Sequence, residues 1–153
     1  MNPAESEIPE VSSPIEVPII SSLYREKGKY WKNHFDETDK LWKPGQIDGL
    51  GEHRGIDFSC PIYTPVRACV SGKILVCGDD PNGFGLYVKQ SYEGNCLYYG
   101  HLSRIDVKEG QYINTGGMIG LSGNTGRSTG PHLHLEARYG DGLSKQAFRI
   151  NLL

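Results

Sequence analysis

The chain of 153 residues contains no apolar run approaching the roughly 20 residues that cross a bilayer, which argues against a membrane span. Cysteine is scarce. Cys60, Cys69, Cys77 and Cys96 include no CxxC pair, which disfavours a zinc ribbon and is thin for a disulfide scaffold, so they read as free, partly buried thiols. Neither sign of charge dominates, with a formal net charge of −2. Glu5, Glu7, Glu10 and Glu16 fall within the first 20 residues, where there is no Lys or Arg, so the rest of the chain is close to balance. Without a basic cluster, nucleic acid is not an expected partner. The N-terminus lacks the basic and continuous apolar regions of a secretory leader and is interrupted by Pro3, Pro9, Pro14 and Pro18, so ordinary Sec export is not expected. There is no repeat of 20 to 50 residues and no low-complexity tract.

What the chain does have is glycine, 20 residues, about twice the usual ~7 %. With 9 Pro and 9 Tyr and many Val and Ile, this favours short strands and tight turns over long helices. Its length suits one domain, with a monomer as the default. Residues 1–20 read as an extended, acidic, Pro-rich arm or tether. Residues 21–51 form an aromatic and charged lead-in that wraps the domain, and residues 52–153 form the domain itself. Within it, Val66, Ala68 and Val70 alternate with polar or small neighbours, and Gly72 introduces a strand from Lys73 to Cys77. A turn is expected at Gly78–Gly83, strands at Leu86–Gln90 and Cys96–Tyr99 around the turn Glu93–Asn95, and two short strands at 110–113 and 117–121. Residues 122–131 are a Gly- and Ser/Thr-rich loop, followed by the alternating strand His132–Arg138.

Five histidines occur, and their spacing is informative. On a strand, His132 and His134 share one face while Leu133 and Leu135 share the other. The leucines suit a core and the histidines a cleft. An HxH strand by itself marks either a metal or catalytic site or a solvated face. His53 and Asp57 are four residues apart, a same-face spacing on a strand or a helix, and Gly55 between them disfavours the helix. His101 ends a predicted strand. Two histidines and a carboxylate make a complete set of protein ligands for catalytic zinc, with a fourth position left for water, and two further histidines remain for proton transfer.

Several motifs in order resemble the M23 family of zinc metallopeptidases, the lysostaphin-like or LytM-type endopeptidases. They are HxxxD at His53 and Asp57, Pro65-Val66-Arg67-Ala68 followed by Gly72, YGHLS at residues 99–103, and Gly126-Arg127-Ser128-Thr129-Gly130-Pro131-His132-Leu133-His134. The resemblance covers about residues 52–139. It implies a mainly β fold, a single compact antiparallel β-sheet domain with long loops around a groove. It also implies one Zn²⁺ per chain on His53, Asp57 and His134, with His132 as the main general base and His101 as its partner in steadying the oxyanion and passing on the proton, roles that could be exchanged. Tyr99 either leans toward the cleft or packs as a strand residue. The implied substrate is the peptide stem and crosslink of bacterial peptidoglycan, in the cell wall or periplasm, and the absence of a leader or a wall-binding repeat suggests release in the manner of a phage lysin, or non-Sec export. A non-catalytic activator of wall hydrolases is the alternative, and a lipoyl- or biotinyl-like carrier, suggested by a 110–120 hairpin, lacks its exposed lysine.

The chain departs from the family at Lys29–Asp36, where charged aromatic sequence replaces small residues, and at Leu135, where an aromatic is common. Asn33 or His34 could fold over the zinc as a latency plug.

Overall fold

The computed structural model describes residues 9–16, 18–22 and 54–152. Among these residues there is no helix, and so none long and apolar enough to cross a membrane. The strands are β1 (Glu10–Val11), β2 (Ile20–Ser22), β3 (Ile56–Ser59), β4 (Pro65–Arg67), β5 (Gly72–Asp80), β6 (Gly85–Tyr92), β7 (Asn95–Ile105), β8 (Tyr112–Ile113), β9 (Met118–Ser122), β10 (His132–Arg138), β11 (Ala147–Phe148) and β12 (Asn151–Leu152). The main sheet runs β2-β3-β10-β7-β6-β5-β8, with β11 beside β10 and with β9 joining β4 to β7. Every pairing within it is antiparallel, and a separate parallel pair, β1 with β12, ties the two ends of the described chain together. The mainly β, antiparallel expectation holds.

β10 is central, flanked by β3 and β7. Leu133 and Leu135 face a core that includes Phe58, Leu97, Tyr99, Leu102, Ile74 and Ile119, all fully buried. The alternation expected for residues 132–138 is present, but the polar face is largely covered too, since His134, Glu136 and Arg138 are buried. The Arg138 guanidinium stacks 4.5 Å from the Tyr98 ring centroid and 5.3 Å from that of Phe84, an arrangement in which a cation is held by aromatic faces.

Three expectations from sequence change. The first is that residues 110–120 form a hairpin. Instead, β8 pairs with β5, while β9 pairs with β4 and β7, so the two short strands have different partners. The second concerns the N-terminal arm. Residues 9–16 are extended but packed, with Val11 and Ile15 buried in the core and the Arg67 N–H donating to the Pro14 carbonyl at 2.9 Å. Two well-placed apolar side chains are enough to seat a segment whose composition is otherwise polar. The third is the turn expected at 78–83, which begins later because β5 continues to Asp80.

Tyr99 is a packed tyrosine, not a cleft residue. Its hydroxyl donates to Gln90 Oε1 at 2.7 Å and accepts the Cys69 N–H at 3.0 Å, and Gln90 in turn donates to the carbonyls of Val70 and Gly72. All four cysteines are free thiols. Tyr99→Phe should therefore leave a buried N–H and a buried carbonyl without partners, costing about 1–3 kcal/mol and several degrees in Tm, with turnover per folded molecule unchanged. Thermal melts beside activity measurements check this, and lost turnover at unchanged Tm would return Tyr99 to the cleft.

Candidate functional site

The register of β10 assembles the site. His134 lies opposite Asp57 on β3 and opposite Gly100 on β7, while His132 lies opposite Ser59. Residues directly opposite in an antiparallel pair point to the same face, so Asp57 and His134 meet there. Asp57 Oδ1 is 2.7 Å from His134 Nδ1 and 3.7 Å from His132 Nε2. Gly55, just ahead of β3, lets this crossing be close, since a Cβ there would stand 2.2 Å from the Leu135 carbonyl oxygen.

His101 reaches the same face by breaking the alternation. Between the pairs Leu86↔Leu102 and Val88↔Tyr99, β7 carries one residue more than β6. An extra residue of this kind bends a strand and re-aims a side chain. His101 absorbs the bend with a φ of 60°, a left-handed conformation that costs a residue with a side chain about 1–2 kcal/mol. Its ring centroid comes to lie 4.6 Å from that of His132 and 6.1 Å from that of His134.

Backbone carbonyls set the tautomers of both outer histidines. A carbonyl oxygen only accepts, so His101 Nδ1–H donates to Thr125 O at 2.7 Å and His132 Nδ1–H donates to Gly130 O at 2.8 Å. In the neutral form, Nε2 of each ring therefore carries a lone pair. Ser128 Oγ stands 3.2 Å from His132 Nδ1 and itself donates to Gly130 O. Thr125 is pinned by its hydroxyl, which accepts the Leu86 N–H at 3.1 Å and donates to Leu102 O at 2.7 Å. The loop before β10 packs backbone to backbone on the β5–β6 turn. Gly85 and Gly126 both have positive φ, and a Cβ on Gly126 would fall 2.2 Å from the Gly85 nitrogen.

Glu136 is a member of the site that the sequence reading did not single out. It lies two residues beyond His134 on the same strand face, a signal that the alternation already contained. His134 Nε2 donates to Glu136 Oε1 at 2.8 Å, and Arg138 Nε donates to Glu136 Oε2. Burial disfavours a charged His134, but hydrogen bonds and charge from Asp57 and Glu136 outweigh it and raise its pKa to about 9. Burial also works against Glu136 as an anion, yet His134 and Arg138 hold its carboxyl below the usual range. Burial pushes His101 down to about 4, with only partial support for its charged form from the Thr125 carbonyl.

Four of the five expected site residues, Asp57, His101, His132 and His134, thus line one groove of about 830 Å³. His53, Asn33, His34 and the segment Lys29–Asp36 lie outside the described residues. Among the described residues no cluster of three His, Cys, Asp or Glu side chains is arranged to hold a metal ion. Asp57 and His134 nevertheless fit one in their chemistry. They are an imidazole and a carboxylate facing each other, and the far nitrogen of the imidazole is fixed by a buried carboxylate, the usual support behind a metal-binding histidine. A shared proton and a shared cation are alternatives for the same two donor atoms.

The profile of peptidase family M23 matches residues 51–146, well over half the chain. The chain belongs to peptidase family M23. It is 46 % identical over 136 residues to the peptidoglycan DD-endopeptidase ShyA of Vibrio cholerae, a match covering 76 % of this chain and 32 % of ShyA. To lysostaphin of Staphylococcus simulans it is 43 % identical over 95 residues, covering 61 % of this chain and 19 % of lysostaphin. The chain thus spans about a third or less of these relatives. The crystallized catalytic domain of S. simulans lysostaphin superposes with a TM-score of 0.67 at 32 % identity, covering 85 % of this chain and 86 % of that domain. A zinc-containing peptidase from V. cholerae superposes with a TM-score of 0.67 at 28 % identity, covering 92 % of this chain and 40 % of that protein. The M23 fold is therefore the lysostaphin type.

The strain at His101 can be measured. His101→Gly relieves the left-handed backbone and His101→Ala does not, so the glycine variant should be the more stable by about 1 kcal/mol, or about 2–4 °C in Tm. Equal melting temperatures would mean that the backbone at this position is not left-handed in solution.

Proposed function

We propose that this M23 chain is a zinc-dependent endopeptidase that hydrolyses the peptide crosslinks of bacterial peptidoglycan, acting in the cell wall or periplasm. The observation that carries this reading is the convergence of Asp57 and His134, as paired donors, with the two Nε2 lone pairs of His101 and His132. His53, Asp57 and His134 are the residues that would hold one zinc ion. When bound, zinc supplies a Lewis acid for the scissile carbonyl and an acidified water.

The chain's own residues supply proton movement. His132 is the general base. Its Nε2 stands 3.7 Å from Asp57 Oδ1, beside the paired donors, where its lone pair can take a proton from the attacking water. Returning that proton to the amine nitrogen of the cleaved bond completes the cycle. His101 is more buried and stays neutral, so its Nε2 accepts a hydrogen bond and orients the water. It becomes a donor to the oxyanion only after taking up a proton. Gly130, Ser128 and Thr125 hold the two rings in these tautomers, and Glu136 does so for His134.

His132→Ala should retain zinc and lose hydrolysis by at least about 100-fold, the typical scale of a general base, whereas Asp57→Ala and His134→Ala should lose zinc. Metal analysis of the purified variants with a cell-wall turbidity assay makes the comparison, and full activity in zinc-stripped wild-type protein would sink the mechanism. Glu136→Gln keeps the shape and removes the charge behind His134. It should weaken zinc binding about 10- to 100-fold in competition with a chromophoric chelator, and wild-type affinity would show that Glu136 only fills space.

A further inference from the structure

Arg127, Arg138 and Lys145 line the groove together with Asp57, Asp80 and Glu136. Arg138 is committed to Glu136, and Asp57 faces His134. Neither the Arg127 nor the Lys145 side chain makes an ion pair with any described residue, and both line the groove from backbone that is itself constrained. The Arg127 N–H donates to the Gly83 carbonyl at 2.9 Å, fixing the loop to the β5–β6 turn. Lys145 has a left-handed φ of 61° in a turn closed by its N–H to the Gly142 carbonyl at 3.1 Å. A side chain held in a costly conformation at the rim of a site is a candidate for a binding role. The opposite character comes from Phe84 and Tyr87, whose rings lie 5.6 Å apart and give the groove an apolar wall.

We infer that this groove selects crosslinks bearing free carboxylates beside the scissile bond, which Arg127 and Lys145 receive, and discriminates against neutral bridges. The inference rests on the endopeptidase reading above and narrows its substrate. Arginine matches a carboxylate with two parallel N–H bonds, and lysine adds a point charge. An uncharged strand such as oligoglycine would cover both cations without pairing them, a penalty that acts as selection against it. The aromatic wall of Phe84 and Tyr87 suits the short methyl side chains of an alanine-containing stem.

The test uses the zinc-loaded full chain and three defined crosslinked peptide dimers, with cleavage followed by mass spectrometry. One carries a D-Ala to diaminopimelate crosslink with its carboxylates free, the second is the same dimer with those carboxylates amidated, and the third is bridged by pentaglycine. The free acid should be cleaved with a kcat/KM at least about tenfold above the amide, the scale of one hydrogen bond to a charged group. Raising the salt concentration should narrow that ratio. Arg127→Gln and Lys145→Gln should each narrow it further through KM on the free acid. Equal cleavage of acid and amide, or faster cleavage of the pentaglycine dimer, overturns the charge selection while leaving the endopeptidase reading intact. Cleavage of none of the three by zinc-bound protein overturns both. The acid-to-amide ratio of the wild type decides the matter even where a variant fails to fold.

Discussion

His134 stands opposite Asp57 on one neighbouring strand and opposite Gly100 on the other, and this double register is the constraint on which the site depends. Side chains alternate along a strand, so a slip of one residue in either pairing would turn the histidines into the core and the leucines toward the groove. The burial of Leu133 and Leu135 forbids that slip. The hydrophobic core and the site are thus two faces of the same seven residues, and packing energy on one face holds chemical geometry on the other. Gly100 contributes by absence. A Cβ there would stand 3.0 Å from the Phe84 ring, which occupies the space beside His134.

Around that strand, the protein uses different means to place each histidine. His134 is placed by register and by two carboxylates. His132 is placed by the carbonyl of a glycine two residues earlier, within its own loop. His101 requires an extra residue in β7, a strained backbone and the carbonyl of Thr125, a residue pinned to two strands by its hydroxyl. The result is two rings with lone pairs toward the groove and one ring held between acids. Their protonation preferences are pulled apart by environment, burial lowering His101 and the paired carboxylates raising His134.

The strand His132–Arg138 was legible in the sequence because strict alternation is a local signal, and it correctly separated leucines from histidines. Most turns were legible for the same reason. His101 was visible as a motif residue, but its direction was not, because alternation places it on the face opposite Gly100 and His134 and only the bulge reverses this. Tyr99 stayed undecided because its partners, Gln90 and Cys69, lie on other segments and are joined to it by tertiary contact. Glu136 was on the right face by simple counting, yet a charged strand residue is ordinarily solvated, and nothing local announces that it will be buried between His134 and Arg138. The N-terminal segment misled by composition, since Val11 and Ile15 pack into the core from among Glu, Ser and Pro.

Zinc K-edge X-ray absorption on the zinc-loaded protein asks whether HxxxD and HxH share one cation. Shared coordination by His53, Asp57 and His134 gives two imidazole nitrogens and one carboxylate oxygen at about 2.0–2.2 Å, in a spectrum that His101→Ala and His132→Ala leave unchanged in its imidazole count. Sulfur scattering near 2.3 Å, or loss of an imidazole when His132 is replaced, would contradict it.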